Sequence, residues 1–491
     1  MEQSKKKFLK NMVGFSMMTW ISFLLGFLSS PIATRLFVPE ELAQVNMFST
    51  YAALISSVCY LGLDQAFVRF FREPPGGAGR KALYTFCTVA PLLFSILSSF
   101  ALLFFWRQLS YQITGDQDFS VFLSLCLFSF CLVLFRFLSL CYRMEQNAKL
   151  YTIQGVVQVF IAKLAYLSVG FGPATGKTAI LVLTVLMAAF TAVCLVIQRN
   201  RYQRGFRKEL NKPFYKETAL YALPLVPISM LAWWNSNINT VVLRNLMGLS
   251  ETAIYTSALG LASSINIIQT GFNAYYAPYV LEHYKDDSTR FYTIHRLMAC
   301  LLTLFGLTIT LLQAPVFLLL GRSYRGSMVF FPFLFLSPIC YCLGETTGMG
   351  ITIAKKTHWT TLIFLFSAAA NIGLCYVFIP MLGMSGAALA SAVSAILTLL
   401  LRTAVGEHYY RVAKDYRCLI ATIGLMLVAS FGNLWLNDRP LPKYALLLCL
   451  AALACWLYRG ELRTLIGTAK ELLASVREKR AASKGGPEDE A

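Results

Sequence analysis

The chain has 491 residues, of which 57% are hydrophobic and 14% charged, with a mean hydropathy of +0.59, whereas ordinary soluble domains carry roughly 25% charged residues. Apolar runs of about 17 to 25 residues, long enough to cross a bilayer, recur along almost the whole length, and no soluble stretch approaches the roughly 100 residues a fused catalytic head requires. Composition thus excludes a soluble enzyme and points to an all-α polytopic membrane protein, whose net charge of +19 has to be explained by position.

Taken in chain order, the hydropathy pattern predicts fourteen spans, at about residues 11–30, 42–63, 82–106, 120–141, 150–171, 178–197, 218–241, 252–275, 297–320, 328–350, 359–380, 386–406, 418–436 and 442–458. With the N-terminus inside, about 33 Lys and Arg fall on cytoplasmic segments and about eight outside, the latter being Arg35, Arg107, Lys177, Arg244, Arg322, Arg325, Arg439 and Lys443. This asymmetry places both termini in the cytoplasm and makes the charge a record of orientation, with no nucleic-acid partner implied. The first apolar run follows Lys5, Lys6 and Lys7, lacks a small-residue cleavage site, and reads as an uncleaved span.

The stretch LGLDQAFVRFFREPPGGAGR, Leu61 to Arg80, gathers Asp64, Arg69, Arg72 and Glu73 ahead of a Pro/Gly-rich segment. It reads as the cytoplasmic end of span two, with EPPGGAG a flexible connection. Arg69 and Arg72 serve orientation and also suit a cavity mouth that receives an anionic substrate. FGPATGKT, residues 171–178, is one residue away from a P-loop. Phe171 replaces the first glycine, and the topology puts the loop outside between two spans, so the nucleotide reading is rejected.

Charges inside spans are more informative, because each costs about 2.5 to 3.5 kcal/mol near the bilayer centre and usually faces a cavity or a partner. Lys163 in span five lies too deep to reach the cytoplasmic headgroups easily and is expected to line a cavity. Arg136 in span four either lines the same cavity or snorkels to the interface. Glu345 in span ten and Asp64 at the end of span two are the ion-coupling candidates, an internal salt bridge being the alternative role for Glu345. Asn235, Asn237 and Asn239 fall midway along span seven, which Pro224 and Pro227 interrupt, while Asn266, Gln269 and Asn273 share one face of span eight. Side-chain amides can bond sugar hydroxyls and Trp233 and Trp234 can stack on a pyranose; hydrogen bonding between helices is the alternative. The thirteen cysteines lie mostly in apolar runs, without C-x-x-C or a Cys/His cluster, and the four histidines lie near span ends. No disulfide framework, metal site or cofactor is indicated.

Two internal echoes share an offset of about 209 residues. TRLFVPEELAQVNMFSTYAALISS, from Thr34, matches LRNLMGLSETAIYTSALGLASS, from Leu243, pairing Arg35 with Arg244 and Gly62 with Gly271; VGFGPATGKTAI matches PMLGMSGAALA. The expected organisation is therefore a six-helix bundle over 1–205, a second over 206–410 related by a pseudo-two-fold along the membrane normal, two further helices over 411–460, and a basic cytoplasmic tail over 461–491. Within the tail, ELRTLIGTAKELLASVREKR places apolar residues on one helical face, suited to an anionic inner leaflet or to simple solvation.

PIATRLFVPEELAQV at the end of span one resembles the signature of polysaccharide and oligosaccharide-lipid flippases, with Val38 and Ala43 standing where that pattern usually has glycine. LGMSGAALASAVS, residues 382–394, resembles the start of span twelve in the wider superfamily of multidrug and oligosaccharidyl-lipid exporters. The resemblance implies alternating-access transport of a polyprenyl-diphosphate-linked oligosaccharide for surface polysaccharide such as capsule or lipopolysaccharide O-antigen. It implies a bacterial cytoplasmic membrane, an ion gradient or the membrane potential as energy source, and a polysaccharide polymerase and glycosyltransferases as functional partners. The cationic candidates would meet the diphosphate. A lipid II flippase and a cation-coupled multidrug exporter of the same fold are the alternatives. An integral-membrane glycosyltransferase is disfavoured because the outer loops are short, the longest being about fifteen residues around RQLSYQITGDQD.

Overall fold

The computed structural model describes residues 20–22, 24–172, 175–284, 288–356, 358–412 and 415–467, and among them the regular structure is helical, with no strand. The start of span one and the tail beyond 467 lie outside the described residues. Ten helices there are long and apolar enough to cross a membrane, and an eleventh if the bent pair Arg322–Val329 and Phe331–Thr347 counts as one span. The remaining expected spans fail that test for local reasons: span seven carries its asparagines, and span eight is interrupted between Ala262 and Ile265.

The chain divides into two compact units, one formed by Met1–Ile267, Pro315–Met328 and Phe364–Ser394, the other by Ile268–Ala314, Val329–Ile363 and Ala395–Ala491. In the first unit, α1 (Trp20–Leu36) leads into α2 (Pro39–Cys59). Pro39 fits the first turn of α2, where its missing N–H is no loss, and Glu40 and Glu41 complement the positive end of the helix. The helix stops because Leu61 and Gly62 turn left-handed, at φ 53° and 68°. The chain then re-enters helix as α3 (Leu63–Phe70). A Cβ at Gly62 would collide with the carbonyl oxygen of Ala222, the last residue of α9 (Lys212–Ala222), so this glycine is required for conformation and for close approach alike. Leu63, Ala66 and Phe67 turn inward to a core shared with Phe137, Leu140 and Phe214.

The EPPGGAG segment is not the free connection expected from its composition. Pro75–Gly77 forms a 3₁₀ turn with Pro75 buried, and Asn211, which caps α9, donates from Nδ2 to Gly76 O at 2.8 Å. The segment expected as the longest outer loop likewise contains structure. After α4 (Arg80–Leu102), the residues Trp106–Thr114 form α5, closed by Gly115 at φ 83°. Ser110 Oγ in α5 accepts from Asp118 N at 2.9 Å. Asp118 then caps α6 (Phe119–Met144), accepting from Ser120 N and Oγ, and these bonds, aided by Lys177, hold its carboxyl below the usual range.

α7 (Ala148–Lys163) continues as a 3₁₀ turn to Phe171, and α8 (Gly176–Gln198) packs on α2 and α6. α10 (Leu225–Met247) and α11 (Leu249–Ala262) also pack on α2, which makes α2 the hub of this unit. α12 (Ile265–His283) leads into the second unit, where α13 (Ser288–Leu311), α15 (Phe331–Thr347), α19 (Arg417–Trp435) and α20 (Pro440–Leu457) pack together. The short α14 (Gln313–Leu318) and α16 (Met349–Ile353) and the long α17 (His358–Leu382) and α18 (Met384–Tyr409) complete the order.

Candidate functional site

Span two breaks at the residues that carry its charge. Asp64 sits in the first turn of α3, right after the left-handed pair, and its carboxylate is buried. Arg136, on α6, donates to Asp64 Oδ2 from Nε at 3.2 Å and from Nη2 at 2.9 Å, and Gln65 Nε2 donates to the same oxygen at 2.9 Å. One expected substrate cation and one expected ion-coupling carboxylate thus neutralise each other. Arg136 keeps 38% of its side chain exposed.

The second unit holds an analogous pair. Glu345 on α15 accepts from Arg402 Nη1, on α18, at 2.9 Å. Arg402 retains only 9% exposure and also lies 5.6 Å from the Tyr341 ring centroid. The ion pair is the salt-bridge role weighed for Glu345. The partner was not singled out from sequence; an arginine four residues inside the expected end of span twelve was the available signal.

Lys163 is arranged differently. It closes α7, inside the 148–170 span, with an exposed side chain on the side of the helix that carries Ile153 and Phe160. Among the described residues it has no ion-pair partner. Arg69 and Arg72 are exposed at the far end of span two, Arg69 lying 5.8 Å from the Phe70 ring centroid.

The amides divide. Asn239 is buried and accepts from Cys375 Sγ at 3.1 Å, tying α10 to α17, and Asn237 Nδ2 donates to Trp233 O of its own helix at 3.0 Å. Trp233 Nε1 donates to Thr50 O of α2 at 3.2 Å, a helix-to-helix contact rather than an exposed stacking face. Asn235 and Gln269 are half-buried; the side chain of Asn273 lies outside those described. The P-loop lookalike is a helix cap: Thr175 accepts from Thr178 N, Gly176 N donates to Glu41, and Lys177 bridges Asp116 and Asp118 at 3.1 and 3.3 Å. The cysteines are all free and mostly buried.

The comparisons with known proteins agree with this architecture. A lipid II flippase MurJ in an inward closed conformation superposes with a TM-score of 0.62 at 15% identity, covering 91% of this chain and 99% of that one. An inward-facing multidrug resistance MATE family transporter of the MOP superfamily gives 0.59 at 16% identity, covering 79% and 94%. At such identity the likeness establishes the fold. No curated protein matches the sequence. The family model described as polysaccharide biosynthesis protein matches residues 8–273, more than half of the chain. The protein is therefore a member of the polysaccharide biosynthesis protein family, built on the fold of the MurJ and MATE transporters.

Proposed function

We propose that this protein is a flippase that carries a polyprenyl-diphosphate-linked oligosaccharide from the cytoplasmic to the outer leaflet of a bacterial inner membrane, by alternating access. The family membership and the transporter fold support this reading, and one observation carries it to the substrate class. Arg136 and Arg402 have carboxylate partners, whereas Lys163, the cation expected deepest in its span, has no ion-pair partner among the described residues, a property it shares with Lys443 in the first turns of α20. A cation inside a span without a counter-ion is costly unless an anion visits it. A diphosphate headgroup is such an anion, and Arg136, half exposed, joins it as the second contact.

The proposal includes fourteen crossings in a six, six and two plan, both termini in the cytoplasm, domain boundaries near 205, 410 and 460, and transport powered by an ion gradient or the membrane potential. Arg69 and Arg72 line the cytoplasmic mouth, and Asn235, Gln269 and Asn273 offer amides to the glycan. The polymerase and glycosyltransferases that act on the same lipid-linked glycan are the partners in the pathway. The reading is tested with purified protein in proteoliposomes containing fluorescent diphosphate-linked glycan lipid, lipid II, or a cationic dye. Protection of the glycan lipid from a membrane-impermeant reagent, absent with the other two, is the expected result; transport of the dye alone supports the multidrug alternative.

A further inference from the structure

Arg35 and Arg244 occupy matching positions of the two sequence echoes, near the ends of α1 and α10. Within the first unit each reaches a helix end from the other half of the chain, Arg244 the end of α5 and Arg35 the end of α14. Arg244 is buried and donates from Nη2 to Tyr111 O at 2.9 Å and from Nε to Gln112 O at 3.0 Å, near the C-terminus of α5. Arg35 donates from Nη2 to Leu318 O, the last residue of α14, at 3.2 Å. Beside it, Gly321 N donates to Thr34 Oγ1 at 3.1 Å and Tyr324 Oη to Phe37 O at 3.0 Å. Where α2 packs on α11, Asn46 Nδ2 donates to Thr256 Oγ1 at 3.0 Å.

Of the two carbonyls that Arg244 reaches, Tyr111 O already accepts from Gly115 N at 2.8 Å, while Gln112 O lies in the last turn of α5, where carbonyls lack intrahelical partners and the dipole favours a cation. A guanidinium is suited to the task because its planar fork reaches two carbonyls at once. The second-half segments that belong to the first unit, up to Ile267, Pro315–Met328 and Phe364–Ser394, flank the loops at Gly248, Arg322 and Gly383, which the charge pattern assigns to the outer side. All of these contacts therefore join the two halves at one end of the spans.

We infer that Arg244 and Arg35 are reciprocal latches that hold the two halves together at the outer end, and that release of the Arg244 cap is a step in substrate exit. The inference rests on the alternating-access reading. The two latches are unequal. Arg35 is exposed and shares Leu318 O with Arg325 Nη2 at 3.4 Å, whereas Arg244 is buried and makes two bonds. Arg244 carries the greater part.

The test is hydrogen exchange followed by mass spectrometry on the full chain in lipid nanodiscs, for wild type, Arg244→Ala, Arg244→Lys and Arg35→Ala. Arg244→Ala is expected to speed exchange over 106–118 and 249–262 by at least about tenfold, the factor expected for loss of roughly one charged hydrogen bond. Arg35→Ala is expected to change it by less than about threefold and Arg244→Lys to fall between. Exchange unchanged in Arg244→Ala overturns the latch. Should that variant not fold, Asn46→Cys with Thr256→Cys, joined by a short reducible thiol cross-linker and compared with each single cysteine variant, supplies the second test. Transport is expected to fall at least about tenfold on cross-linking and to return on reduction; full transport while cross-linked overturns the inference. Faster exchange in Arg244→Ala, together with a wild type that moves no glycan lipid, supports the latch and defeats the substrate assignment instead.

Discussion

Arg136 donates through both Nε and Nη2 to a single oxygen of Asp64, the carboxylate that follows the left-handed break of span two. Replacing Arg136 by Ala leaves a buried carboxylate with Gln65 as its remaining side-chain donor. The expected loss of stability is about 1 to 3 kcal/mol. The double variant Arg136→Gln, Asp64→Asn should lose less than the sum of the singles, with a coupling of about 1 kcal/mol or more. Thermal unfolding in detergent measures this; strict additivity would show that the pair is not coupled.

Glu345 and Arg402 give a sharper contrast, because Arg402 is the more buried partner. Glu345→Gln takes the carboxylate away from a buried guanidinium and should cost up to about 3 to 5 kcal/mol. If Glu345 is a counter-ion, adding Arg402→Gln restores both stability and transport. Restored stability with transport still absent would assign Glu345 to ion coupling.

Gly62 combines a left-handed backbone with contact against Ala222 O. Gly62→Ala is expected to destabilise by about 1 to 3 kcal/mol and to loosen α3 from α9. Limited proteolysis in the 71–79 connection reads that loosening. Equal cleavage of variant and wild type would refute the bracing role.

Lys163→Ala should lower transport several-fold without lowering membrane abundance, while Lys163→Arg should retain most of it, since the proposed role asks only for a cation to meet the diphosphate. Wild-type flux in the Ala variant would remove Lys163 from the site.

Much of the fold could be read from the chain because the bilayer demands long apolar helices whose backbone bonds are made within each segment. The end of span two near residue 63 was marked by the charges that begin at Asp64, and the interruption of span seven by Pro224 and Pro227; the left-handed turn at Gly62 was not anticipated. Helix α5 was not legible, because its polar residues read as loop and its order comes from Ser110 bonding to Asp118 eight residues on. Charge inside a span singled out Arg136 and Glu345 and offered a salt bridge as one role for Glu345; it named no partner for either and did not pair Arg136 with Asp64, because an ion pair between helices is fixed by packing. The same limit applies to Asn239 and Trp233, for which sequence left open sugar contact or bonding between helices and the structure shows the latter.

The identity of the cargo is tested by depleting the protein in its host and measuring, by mass spectrometry, lipid-linked glycans on the cytoplasmic face of the membrane. One polyprenyl-diphosphate-linked oligosaccharide is expected to accumulate there and to clear when the wild-type chain is restored. If no lipid-linked glycan accumulates, the flippase account is contradicted.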